Sequence, residues 1–511
     1  MKRRAGVVVP VFSLRSEPAW GIGEIPDLVE LAAWAAGAGL GVVQILPVHV
    51  PGGGHNSPYA AVTSFALDPA YLALEDIPEL TAAGGEAGLP EALRTEIARL
   101  RGTRSVEWDA VRRVKQAALD VAFARFVDHE LAGSTQRAKA FAQFCLEEIH
   151  WLEDWAIFAS IHDEAGGQPW WTWERGLAGR DPAALAVARD RLSASIQRHR
   201  YVQWLLDTQW RAARAGAAAF GVDLMGDLPF MVAGDSADVW ARAHEFDLQS
   251  RLGVPPDAFS ADGQDWGLPV YRWEVIAQGG FDWMHERARR AADLYGLFRV
   301  DHVVGLYRTY YRRPGEKQGQ FTPEGEATQT TLGEMVLGIL RGGDRDRVIA
   351  EDLGVVPDFV RASLARIDVP GYRVLRWEKD GPVFRDPAKW PARSVATTGT
   401  HDTEPLLDWW DALADDERRA FLALPELAAL AEGRVSPLDA MLELVMASGS
   451  ELALFPLSDL LGTRERINVP GTVEASNWTW RMPRTIAELA ADEPTSARLR
   501  SLAARSGRVV R

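Results

Sequence analysis

Eight short, almost uninterrupted apolar runs punctuate this chain, and long helical patterns separate them. The runs cover residues 6–12, 41–47, 220–227, 297–302, 347–353, 372–377, 394–401 and 452–459. Continuous apolarity, as opposed to alternation, is how strands read when both faces of a parallel sheet are covered. Several runs close on polar groups: Asp227, Asp301-His302, Glu351-Asp352, His401-Asp402 and Asp459. In a parallel barrel all strands open their carboxyl ends onto one face, and sites are built there. The pattern predicts an α/β chain folded as a (β/α)8 TIM barrel. A doubly wound open sheet is the competing arrangement, but no G-x-G-x-x-G follows the first run.

The connections are unequal. Residues 27–38 form one crossover helix, with Leu28, Leu31, Ala35 and Ala38 on one face and Asp27 as N-cap after Pro26. Residues 106–131, 137–164 and 182–216 are rich in Ala, Leu, Arg and Glu at helical spacing. The expectation is one barrel over residues 1–511, interrupted by a helical subdomain at about 72–219 between the second and third strands, with further loop subdomains elsewhere. Lone Cys145 excludes an intrachain disulfide framework and a Cys-based metal cluster, and fits a reducing compartment. A net charge of -15 without a basic stripe argues against a nucleic-acid partner. No apolar stretch reaches the ~18 residues of a membrane span. The basic start before the first run resembles a signal peptide. The run is short, however, holds Pro10, and gives way to Arg15 and Glu17, so the expected location is cytoplasmic.

Three strand ends carry chemistry. Residues two apart on a strand share a face, so Arg299 and Asp301 point together into the barrel mouth. A guanidinium favours the charged form of a neighbouring carboxylate, and a positioned carboxylate is a nucleophile; the same pair can also simply close a barrel end. Glu351, ending an apolar strand, is costly to bury while charged, which suits a general acid. The alternative is that Glu351 or, better, Asp352 caps the next helix. His401-Asp402, after a glycine-bearing strand end, suits a metal, a sugar hydroxyl or a helix cap. No H-x-H or H-E-x-x-H completes a ligand set, and no G-x-S-x-G points to a serine hydrolase. The chain holds 20 Trp against 9 Tyr. Helical Trp151 and Trp155 read as core, whereas Trp266 beside Gly267 and Trp377 beside Glu378 leave an aromatic face free to stack on a ligand. Three carboxylates on three strand ends, with loop tryptophans, suit glycosyl transfer: one attacks, one protonates the leaving oxygen, and one steadies the transition state.

These motifs in combination resemble the amylomaltases, the 4-α-glucanotransferases of glycoside hydrolase family 77. The resemblance rests on Arg299-Val-Asp301-His302, Ala350-Glu351-Asp352-Leu-Gly354 and Gly399-Thr-His401-Asp402. It extends through Gln44-Ile-Leu-Pro47, Asn56-Ser57-Pro58-Tyr59, Gly226-Asp227-Leu-Pro229, Asp265-Trp266-Gly267, Asn468-Val-Pro470-Gly471 and Asn477-Trp-Thr-Trp480-Arg481, and so covers essentially the whole chain. It implies a retaining enzyme without metal or organic cofactor, moving segments of maltooligosaccharides or α-1,4-glucan. By motif position it implies Asp301 as nucleophile, Glu351 as acid/base and Asp402 as transition-state stabiliser. Ser57, Tyr59, Asp227, Trp266, Arg299, His302, Trp377, His401 and Asn468 are the implied substrate contacts, with Tyr59, Arg299 and His401 on the donor side and Trp377 near the acceptor.

The sequence departs from the family pattern at Ala60, Ala258, Leu268 and residues 318–334. These positions lie toward the acceptor side, so they leave acceptor identity, donor length and cyclisation open. A related enzyme with another acceptor, a mainly hydrolytic α-glucosidase or amylase, and a non-catalytic glucan-binding protein are the alternatives. Oligomeric state is not legible.

Overall fold

The structure is a computed structural model that describes residues 3–52, 56–255, 263–316, 318–508 and 510. Eight parallel strands close into a barrel: β1 Arg4–Val8, β2 Val42–Gln44, β3 Asp223–Leu228, β4 Leu297–Val300, β5 Val348–Ala350, β6 Gly371–Val374, β7 Ser394–Thr397 and β8 Leu452–Pro456. Each strand pairs with its neighbours in sequence, and β8 returns to β1. All eight apolar runs thus supply barrel strands, with ends shifted by a few residues, as where the first strand begins at Arg4 and the third ends at Leu228. The first run stops at Val8 because Pro10 has no N–H for the ladder, and Val11–Ser13 turn into a 3-10 helix.

The barrel interior is stratified by the two-residue period of its strands. Val42, Met225, Leu297, Ile349, Tyr372, Val395 and Leu452 pack together as an apolar floor inside the barrel, with Leu454 one layer above Leu452. Two residues further along, on the same faces, stand Gln44, Asp227, Arg299 and Glu351. Asp227 and Arg299 are direct cross-strand partners in the β3–β4 register. The polar layer therefore rests on an apolar floor at the carboxyl end of the strands.

Between β2 and β3 the chain is helical, running from Pro78–Ala82 through Trp108–Arg125 and Ile149–Glu164 to Ser193–Ala219. The last of these helices docks on the barrel through Trp210, whose indole N–H donates to the Leu294 carbonyl at 2.8 Å. Trp210 also packs edge-on against Tyr295. A Cβ at Gly226 would lie 2.3 Å from the Tyr295 ring, so only glycine lets that ring cover the back of β3. Lys115, 1% exposed, donates to Glu24 Oε1 at 2.6 Å and to the Ala70 and Leu72 carbonyls at 2.7 and 2.8 Å. This buried cation ties the helical stretch to the barrel's first connections.

Asp27 is the first residue of the helix Asp27–Gly37 and not its N-cap; its carboxylate accepts the Glu24 N–H at 2.8 Å. A four-stranded antiparallel sheet, unanticipated from the sequence, stands above the mouth. Phe246–Val254 and Gln264–Tyr271 come from the β3–β4 connection, and Thr309–Arg312 and Gln320–Thr322 from the β4–β5 connection. Among the described residues no helix is long and apolar enough to cross a membrane.

Candidate active site

Arg299 organises the polar layer. Its Nη1 donates to both carboxylate oxygens of Asp227, at 2.8 and 2.7 Å, and to the Tyr59 hydroxyl at 3.3 Å. Its Nη2 lies 2.9 Å from Asp301 Oδ1 and 3.9 Å from Glu351 Oε2. Two carboxylates from adjacent strand ends thus converge on one guanidinium nitrogen. Burial penalises the Arg299 charge, but Asp227, Tyr59, Asp301 and Glu351 together hold its pKa well above the ordinary arginine value.

The two carboxylates differ in surroundings. The Glu351 side chain is 11% exposed and that of Asp301 24%. Burial pushes the Glu351 carboxyl up to about 7; Arg299 opposes this, the neighbouring Asp301 charge adds to it, and two backbone N–H groups oppose it. Those donors are His302 N–H at 2.8 Å and Leu353 N–H at 3.0 Å. His302 takes a left-handed backbone (φ 42°), the bend at which its N–H meets Glu351. Among non-glycine residues that region is sparsely populated, and histidine is one of the types that enter it.

Asp352 does not cap the following helix, whose N-cap is Pro357 without a side-chain bond. Its carboxylate instead accepts the Tyr372 N–H at 2.7 Å and faces Arg361 at 3.1 Å, pinning the end of β5 to β6. This outward tether leaves Glu351 alone to face the mouth from β5.

Tyr59 links the two halves of the site. Its hydroxyl donates to Asp227 Oδ2 at 2.7 Å, and its ring stacks on His401 with centroids 5.2 Å apart. Burial raises the Tyr59 hydroxyl pKa well above its usual value, with the Asp227 charge adding to the shift, so the hydroxyl keeps its proton and donates a hydrogen bond to Asp227. Ser57 Oγ accepts the Tyr59 N–H at 3.4 Å. His401 Nε2 lies 3.5 Å from Asp402 Oδ2, and Asn468 Nδ2 donates to Asp402 Oδ1 at 2.6 Å. The Asp402 side chain is 42% exposed and stays open to a ligand. On the opposite side, the Trp266 ring meets His302 edge-on at 5.0 Å, with Phe230 packed on both. Burial lowers the His302 pKa, favouring the neutral ring.

Eleven of the twelve residues named from sequence are therefore joined by hydrogen bonds, ion pairs or ring contacts. Asp227 is fully buried beneath Tyr59 and Arg299, so it positions those groups and does not itself face solvent. Burial raises its carboxyl pKa, which Arg299 and the Tyr59 hydroxyl oppose. Trp377 stands apart from the network. It is half-exposed at the edge of a cleft of about 670 Å³ with Arg361, Arg373, Asp380, Arg385 and Trp390.

Three contributors escape sequence reasoning. Arg466 donates to the Asp402 carbonyl at 2.6 Å, Trp478 packs on Tyr59 and His401, and Phe230 supports Trp266. The nearest signal for the first two is their place beside Asn468 and Asn477. Among the departures, Leu268 pairs across from Leu252 and packs on the core, while Ala60 sits in the turn after Tyr59. Residues 318–334 contribute the strand Gln320–Thr322 and the first turns of the helix Glu326–Arg341. Ala258 lies outside the described residues.

Comparisons with known proteins agree with the barrel fold. A family model described as 4-alpha-glucanotransferase matches residues 9–487. A 4-alpha-glucanotransferase of Synechocystis sp. is 34% identical over 499 residues, 94% of each chain. One from Thermus thermophilus is 33% identical over 90% of each chain. The solved amylomaltase of Streptococcus agalactiae, in complex with acarbose, superposes with a TM-score of 0.85 at 25% identity, covering 99% of this chain and all of that one.

Proposed function

The chain belongs to the 4-alpha-glucanotransferase family, glycoside hydrolase 77, and on that premise we propose that it is a retaining transferase working through a covalent glucosyl-enzyme. Membership makes it a glycosyl-transferring enzyme of glucan transglycosylation.

An Asp301 carboxylate oxygen attacks C1 of the glucose at the cleavage point. The glycosidic C–O bond breaks as Glu351 delivers its proton to the departing oxygen, leaving a β-glucosyl ester on Asp301. The 4-hydroxyl of an incoming glucose or glucan then gives its proton to Glu351 and attacks C1 from the opposite face. This releases Asp301 and restores the α-linkage. Asp402, held by Asn468 and left open, binds ring hydroxyls and stabilises the oxocarbenium-like transition state. Tyr59, His401, His302 and Trp266 surround the donor sugar, and Trp377 offers its half-exposed ring to the acceptor. Donors are maltooligosaccharides or starch-type α-1,4-glucans; the acarbose bound by the Streptococcus amylomaltase supports this substrate class.

The observation carrying this reading is the shared contact of Asp301 and Glu351 with Arg299 Nη2, at 2.9 and 3.9 Å, in environments of unequal burial. Two carboxylates meeting at one nitrogen can stand as close as the ~5–5.5 Å separation of a retaining pair. Burial raises the Glu351 carboxyl to about 7, which suits it to hold the proton a general acid must deliver, and leaves the more exposed Asp301 for the nucleophile's part.

Incubation with maltotriose, products resolved by mass, tests the proposal. A ladder of longer maltooligosaccharides with released glucose supports transfer. A rise in reducing ends without a ladder assigns a hydrolase, and binding without turnover a glucan-binding protein.

A further inference from the structure

Trp170, Trp171 and Thr172 form a 3-10 turn in the helical stretch between β2 and β3. The turn is fixed on both sides. The Trp170 backbone N–H donates to Asp235 Oδ1 at 3.1 Å, and its indole N–H donates to the Gly234 carbonyl at 2.9 Å. The Trp173 indole donates to the Gln168 carbonyl at 2.8 Å. Trp170 and Trp173 are 7% and 8% exposed, yet Trp171 between them is 54% exposed. A rigid turn therefore holds one large aromatic ring against solvent.

Its location gives that exposure a meaning. Gly234 belongs to the loop that leaves the carboxyl end of β3, four residues beyond Phe230, which packs on Trp266 and His302. A Cβ on Gly234 would lie 4.0 Å from both Trp171 Cζ3 and Pro269 Cδ, so the indole edge, Gly234 and Pro269 close around one spot. Pro269 lies on the strand Gln264–Tyr271, three residues beyond Trp266. Pro269 thus brings the strand that carries Trp266 to the Trp171 edge, and Gly234 adds no side chain at that meeting point. An α-1,4-glucan presents an apolar C–H face on successive sugars, which suits aromatic platforms placed at intervals.

We infer that Trp171 is an outlying glucan subsite, a stacking platform engaged by chains long enough to run from the cleavage point past Trp266 to the helical rim. The inference rests on the glucan-transferase reading above and adds a chain-length selector to it. Short donors end before this ring and gain nothing from it; long donors gain one more stacked sugar.

The test compares kcat/KM for maltotriose and for a long amylose in the wild type, Trp171→Ala and Trp171→Tyr, alongside migration of each protein through gels containing soluble amylose. Trp171→Ala is expected to lower the amylose-to-maltotriose ratio of kcat/KM by roughly two- to tenfold, the worth of one aromatic stacking contact, and to migrate faster in amylose. Trp171→Tyr restores most of both. An unchanged ratio with unchanged migration overturns the subsite. So does an equal loss on both donors that Tyr fails to rescue, since that marks a structural ring. Should the wild type transfer nothing from maltotriose, the functional reading fails, while amylose retardation of wild type against Trp171→Ala still decides the platform.

Discussion

Replacing Asp227 by Asn tests how the site is held together. Asp227 is fully buried and the Arg299 side chain only 9% exposed, and the two share contacts of 2.8 and 2.7 Å. Removing one partner of a buried pair costs about 3–5 kcal/mol, because the other charge is left uncompensated. Here Asp301 remains at 2.9 Å from Nη2 and Asn keeps the shape, which places the loss near the lower bound, about 3 kcal/mol. Denaturant unfolding at pH 6 reads that number. A second signature separates this electrostatic effect from simple loosening. With Asp227 neutral, the Arg299 charge is less cancelled and stabilises ionised Glu351 more strongly. The Glu351 pKa then falls from about 7, and the alkaline limb of kcat/KM moves to lower pH by about one unit, the low end for one neighbouring charge. A stability loss under about 1 kcal/mol, or a limb that stays or moves upward, refutes the reasoning.

Two further outcomes rest on the same geometry. Glu351, raised by burial from 4.5 to about 7, binds its proton more tightly folded than unfolded, so its contribution to stability is full below pH 4.5 and lost as pH rises through about 7. Glu351→Gln is therefore more stable than wild type at pH 8 and not at pH 4, in parallel melts, while its transfer activity is abolished. Asn468→Ala frees the Asp402 oxygen it holds at 2.6 Å. If the about 1.5–3 kcal/mol of that charge-assisted bond is lost from the aiming of Asp402, kcat falls roughly 10- to 100-fold, checked by steady-state kinetics on maltotriose.

The barrel was legible because its strands are buried on both faces and so appear as unbroken apolar runs. Their terminal polar residues announced the layer that holds Asp227, Arg299 and Glu351. The four-stranded sheet was not legible. Its strand Phe246–Val254 mixes Asp247, Gln249, Ser250 and Arg251 with scattered apolar positions, and Gln264–Tyr271 contains Gly267 and Pro269, residues that read as punctuation in a strand. Sequence alone offers Asp352 as the better candidate for a helix cap, since adjacency cannot distinguish a cap from a tether to the next strand. The parts of the site that escaped act through a backbone carbonyl, as Arg466 does, or through ring packing, as Phe230 and Trp478 do. Such contacts depend on where loops meet in space and leave no spacing pattern along the chain.

A covalent sugar on Asp301 is the step on which the whole mechanism turns, and intact-protein and peptide mass spectrometry of the Glu351→Gln variant tests it most directly. An α-glucosyl fluoride has a leaving group that needs no acid, so it can enter the first step, while the missing base slows the second. The predicted result is one glucosyl unit on the peptide containing Asp301. Fluoride release without any adduct, or an adduct on a different carboxylate, contradicts the assignment.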